Sequence, residues 1–167
     1  DNLFIKLINK SSDLDNDEYI KFLIDNINDI DFEKPKLNPI LIYSIINNKN
    51  ILSKFFIKNN KGIHNKNFMY LLPINASVSK NNIEITKMLL EIDPNIEYGG
   101  VDDEYLPFNI AINHDYLELA TILLDYIKNF NIIDKYKNTY LHYIADTLKF
   151  YYEKNDKEKE EKLRKIL

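Results

Sequence analysis

His64, His114 and His142 are the chain's three histidines, and carboxylates gather in two short stretches, "SSDLDNDE" (11–18) and "VDDEY" (101–105). These are the residue types that could hold a metal ion or move a proton. No two histidines stand at a metal-ligand or catalytic spacing, and no cysteine is present to join them. Asp13, Asp15 and Asp17 alternate as in a calcium loop, but the glycine at the loop's sixth position and the glutamate at its twelfth are both missing. Asp15 and Asn16 are more simply read as caps for the apolar helix that starts at "DEYIKFLI", with acids favoured in its first turn. In "VDDEY", Asp102 and Asp103 could form a carboxylate pair for acid–base work, yet no partner group converges on them in the sequence. The run "EKNDKEKEEK" (153–162) is mixed in sign and reads as a solvated helix surface or turn. No catalytic, cofactor or metal site is expected, and the chain is not expected to be an enzyme.

Composition narrows the remaining classes. With 45% hydrophobic and 29% charged residues, 167 residues can bury a core and keep a polar surface. The net charge of −4 argues against nucleic-acid binding, because phosphate contacts need a basic face. The many tyrosines and phenylalanines, without such a face, read as core and protein-contact residues rather than base-stacking platforms. No apolar run reaches the roughly 18 residues of a membrane span, so membrane insertion is not expected. Three glycines leave no phosphate-cradling loop.

The elements that carry these residues recur. "LPINASVSKNNIEITKMLLE" (72–91) and "LPFNIAINHDYLELATILLD" (106–125) share six of twenty positions. Pro39, Pro73, Pro107 and Tyr140 mark one place in successive units, at steps of 34, 34 and 33. Apolar triplets starting at Phe22, Phe55, Met88 and Ile122 mark a second, at steps of 33, 33 and 34. Each unit predicts two short helices. After Pro107, Phe108, Ile110, Ala111 and Ile112 give a first helix of about two turns, whose proline suits the first helical turn. "NHDY" breaks it, and Leu117, Leu119, Ala120, Ile122, Leu123 and Leu124 give the second. So small a unit cannot bury so wide a face alone, whereas stacked neighbours can.

On these markers the sequence resembles the ankyrin-repeat family. The last unit fits best, with Asp134, Asn138, Thr139, Leu141, His142 and Ala145 in the family's places. Units of about 1–32, 33–66, 67–100, 101–133 and 134–167 then make one all-α solenoid domain, with short or irregular hairpin loops between them. The unit from Pro39 needs one inserted residue near 47–50. The hairpin glycine of the family would fall at Lys36, Tyr70, Glu104 and Lys137, and a left-handed residue other than glycine costs roughly 1 kcal/mol, so distorted hairpins are expected. His142 takes a structural place, with Thr139 as its hydrogen-bond partner. The family's histidine is replaced by Leu41, Asn75 and Asn109 in the earlier units. After Ala145 a lengthened first helix, a charged turn and a short final helix are expected.

The resemblance implies a non-enzymatic scaffold, acting as a monomer, that binds another protein through its concave face and hairpin tips. The tips fall on Lys34, Pro35 and Leu37, on Phe68, Met69 and Leu71, on Asp102, Asp103 and Tyr105, and on Lys135, Tyr136 and Asn138. Ser79, Lys80, Asn113 and His114 extend the surface along the first helices. In this setting "VDDEY" is an acidic hairpin tip. A recruitment domain of a larger enzyme or a secreted effector is the alternative; cytoplasmic placement is the default expectation.

Overall fold

Asparagine and aspartate decide where the helices turn. A computed structural model describes residues 40–60, 62–64, 72–95, 106–133 and 136–166. Among these residues there are eight α-helices and no strand. They pair as α1 (Ile40–Ile46) with α2 (Asn50–Lys58), α3 (Pro73–Ser79) with α4 (Ile83–Ile92), α5 (Pro107–Asn113) with α6 (Leu117–Leu124), and α7 (Tyr140–Glu153) with α8 (Lys157–Ile166).

All four pairs are joined by the same turn. Asn48, Asn81, Asp115 and Asn155 hold positive φ, at 56°, 50°, 61° and 55°. The amide two residues beyond each helix-terminal cap reaches back to a carbonyl five positions earlier: Lys49 to Ser44 (2.8 Å), Asn82 to Ser77, Tyr116 to Ala111 and Asp156 to Tyr151 (each 2.9 Å). The left-handed residue itself donates to the carbonyl three positions before it. This is the Schellman arrangement, which satisfies the carbonyls that a helix end leaves open. Asparagine and aspartate tolerate the left-handed region better than other residues with a β-carbon.

These turns correct two expectations about register. α1 and α2 superpose on α3 and α4 at a constant step of 33, so no residue is inserted near 47–50. Ile40, not Pro39, stands where Pro73 stands, and Pro39 lies outside the described residues. In the last pair, α7 starts 33 residues after α5, which puts Ile144 in the place of Ala111 and Ala145 in that of Ile112. Ile144 and Ala111 are buried, while Ala145 is exposed. The lengthened helix is present: α7 has 14 residues against seven in α5, and a turn at 154–156 leads to α8.

The chain divides into two compact units, Asp1–Pro73 and Ile74–Leu167. In the first, Leu41, Ile42, Ile45, Leu52, Phe56 and Ile57 bury the facing sides of α1 and α2. In the second, one core runs from Val78 and Leu90 through Phe108, Ala111 and Leu119 to Tyr140, Tyr151 and Leu163. First helix packs on first helix, α5 on α7, and second on second, α6 on α8. The rings of Phe108 and Tyr140 meet edge-on near the starts of α5 and α7, with centroids 5.6 Å apart.

Inside each hairpin the closest approach is small against small. Ser44 and Ser53 touch through their hydroxyls at 2.8 Å, and Ser77 and Thr86 do so at 2.8 Å. In the next pair the corresponding residues are Ala111 and Ala120. All six are fully buried. The same site is thus filled by paired hydroxyls twice and by paired methyls once.

Candidate functional site

At the turn between α5 and α6, the left-handed conformation of Asp115 aims its carboxylate at the α7–α8 hairpin. The buried Tyr151 donates its hydroxyl proton to Asp115 Oδ1. Lys159, from the first turn of α8, donates to Oδ2 at 2.7 Å, and its ammonium also lies 3.8 Å from Asp156 and 5.7 Å from the centre of the Tyr151 ring. Three helical elements therefore meet at one carboxylate.

The protonation states give this trio a structural role. Burial pushes the Tyr151 phenol well above its ordinary value, and the hydrogen bond to Asp115 adds to the rise. Partial burial pushes the Asp115 carboxyl upward, but the hydrogen bonds from Lys159 and Tyr151, with the lysine charge, outweigh it and hold the group below 3.8. The hydrogen bond to Asp115 raises Lys159 above 10.5. Each group is thereby locked further into the form it already has at neutral pH. The three groups together clasp the α5–α6 turn to the α7–α8 hairpin. Among the described residues no cluster of histidine and carboxylate side chains could hold a metal ion.

Beside the clasp runs a groove of about 520 Å³. Asn81 and Ile83 line it from the turn and start of α4; Asp115, Tyr116, Leu117, Glu118 and Thr121 line it from the turn and start of α6. Lys159, Lys162 and Lys165 of α8 complete it. Asn82 shapes this region by capping α4, its Oδ1 accepting from the Ile85 amide at 3.1 Å. Lys162 and Lys165 each pair with the glutamate four residues earlier, Glu158 and Glu161, at 2.6 Å.

The residues expected to bind a partner fall in two places, where they can be located. Asn113 is exposed at the end of α5, and His114 follows it, exposed and stacked on Tyr116 with ring centres 5.5 Å apart. Ser79 is half-buried and donates to the Ala76 carbonyl at 2.9 Å, while Lys80 is exposed in the next turn. These four sit at the turn end of the hairpins, next to Asn81 and Asp115 of the groove. Tyr136, 62% exposed, and the half-buried Asn138 precede α7 and lie at the opposite end of the first helices. Among the described residues these two groups lie apart. Lys34, Pro35, Leu37, Phe68, Met69, Leu71, Asp102, Asp103, Tyr105 and Lys135 lie outside the described residues.

His142 has the structural role expected of it. Its Nδ1 accepts from the Thr139 amide at 3.1 Å, which makes Nδ1 the unprotonated ring nitrogen and leaves the Thr139 hydroxyl, 2.9 Å away, to donate to it as well. Asn109, in the corresponding place of the previous hairpin, is buried with its Oδ1 unpartnered among the described residues. The groove lysines were not anticipated. Their spacing of three along "KEKEEKLRK" was readable, but it was indistinguishable from a solvated mixed-charge helix without the α6 surface beside it.

Neither a protein-family model nor a curated protein sequence matches the chain. No helix among the described residues is long and apolar enough to cross a membrane.

Proposed function

We propose that the chain is a non-enzymatic scaffold of the ankyrin-repeat type, a solenoid of helical hairpins that binds another protein. The observation that carries this reading is the recurrence of one hairpin, closed by one turn, at 33- to 34-residue steps from Asn48 to Asp115. Between the last two hairpins α5 packs on α7 and α6 on α8, the order that a solenoid requires, since each unit then completes its neighbour's core. Such an array presents rows of equivalent side chains without needing any converging catalytic set. Exposed apolar side chains on the last hairpin and its approach, Tyr136, Leu141 and Tyr152, supply candidate anchors.

The test is capture of partners from native lysate by the intact chain, followed by titration calorimetry with each recovered protein in purified form. A 1:1 complex of micromolar affinity or tighter is expected. Tyr152→Asp should weaken it at unchanged melting temperature, since Tyr152 is 75% exposed and truncating an aromatic anchor commonly costs about 2 kcal/mol. A chain that retains no protein at that affinity is not a scaffold.

A further inference from the structure

Resting on the scaffold reading, we propose that the groove beside α8 receives an acidic peptide segment of the partner protein. Its carboxylates bridge Lys162 and Lys165, and an apolar side chain lies on Ile83 and Leu117. The volume of about 520 Å³ suits a few side chains rather than a whole domain surface.

The three lysines differ in availability. Lys159 is committed to Asp115 and Asp156 and holds the α8 wall in place. Among the described residues, Lys162 and Lys165 are held by glutamates of their own helix, in pairs whose side chains are all more than half exposed. Exposed pairs of this kind are weak, so an incoming carboxylate can take the lysine from Glu158 or Glu161 with little loss. Neither glutamate lines the groove. The groove thus meets a ligand with two exchangeable cations over an apolar floor.

Charge also separates the peptide from a nucleic acid. Asp115 and Glu118 line the same groove. A phosphodiester backbone carries a charge at every step and would run against these carboxylates. A peptide can set its acidic side chains at the lysines and an apolar or neutral one at Glu118.

A random linear peptide library, displayed on phage, selected against the intact chain at low salt tests the assignment. Enriched peptides are then measured by fluorescence anisotropy against the parent chain, K162E/K165E, K162Q/K165Q and K149E, the last lying on α7 outside the groove. The expected result is enrichment of sequences with two or more Asp or Glu beside an apolar residue. Their affinity should fall tenfold or more in both double variants and stay unchanged in K149E. The glutamine pair guards against disruption of α8 by the glutamates, and circular dichroism confirms the helix content of each variant. Neutral or basic peptides, or acidic peptides insensitive to both double variants, would overturn the groove assignment while leaving the scaffold reading in place. So would an oligonucleotide that displaces the peptides and binds more tightly than they do. Failure to enrich any peptide would overturn the groove assignment alone, since the scaffold reading is decided by capture of a partner protein from lysate.

Discussion

Left-handed backbone outside glycine is concentrated at six described residues, of which five are asparagine or aspartate and the sixth is Lys137, at φ 64°. The first five have short polar side chains that tolerate this region; lysine does not, and bears roughly 1–2 kcal/mol for it. Lys137 is the place where the ankyrin resemblance calls for glycine, and distortion of the turn was expected from its absence. Instead the backbone at Lys137 keeps the left-handed conformation, because the start of α7 is fixed by Thr139, His142 and the burial of Tyr140. Lys137→Gly should therefore stabilise the protein. Part of the gain is offset by the greater freedom of glycine in the unfolded chain, about 0.5–1 kcal/mol. A net gain of about 0.5–1 kcal/mol raises the melting temperature by roughly 1–4 °C in a protein of this size. Calorimetry on the parent and the variant checks this, and an unchanged or lowered melting temperature would show that the lysine side chain returns what its backbone loses.

At the scale of the helical pair, what could be read from the sequence was the existence of the hairpins and their period. Helix boundaries after Pro73 and Pro107 follow the text closely because proline at the first position and asparagine or aspartate in the turn both act locally. The register of the first described hairpin was misplaced for an equally local reason. Pro39 resembles the other prolines, but the turn at Asn48 sets the frame. What joins the two helices was hidden, since Ser44, Ser77 and Ala111 look unrelated until their partners Ser53, Thr86 and Ala120 are seen across the hairpin. In each hydroxyl pair, two protons serve three contacts. Ser77 also reaches the Ile74 carbonyl at 2.8 Å and Thr86 the Asn82 carbonyl at 2.9 Å. Either single change, Ser77→Ala or Thr86→Val, removes the bond between helices and leaves the surviving hydroxyl its backbone acceptor. Each should cost about 1 kcal/mol. The double variant loses the shared bond only once, so its cost should fall short of the sum by about 0.5–1 kcal/mol. Urea unfolding of the four proteins measures the coupling; strict additivity would mean that the two hydroxyls do not interact in solution.

Across the whole molecule, the links between hairpins were the least legible part. The Asp115–Tyr151 bond spans 36 residues and the Asp115–Lys159 pair spans 44, and nothing in the local sequence of "NHDY" or "KFYYEKND" signals the other. The same distance explains why the groove escaped notice, because its walls come from three hairpins. These links give the last hairpin a definite task. α7 covers α5, with Phe108 wholly buried and its ring against Tyr140, and Leu163 of α8 enters the same core. A fragment ending at residue 133 lacks Tyr140, Ile144, Tyr151 and Leu163, together with both donors to Asp115. Exposing Phe108 and the apolar surface around it forfeits about 1.5–3 kcal/mol for each large side chain returned to water. Two or three such side chains lower the melting temperature by about ten degrees or more at this chain length. The uncovered face should also bind a hydrophobic dye and drive self-association. Thermal unfolding and light scattering of residues 1–133 beside the intact chain check both effects. A fragment that stays monomeric and melts with the parent would mean that the α7–α8 hairpin is an appendage, and that the core closes at α6.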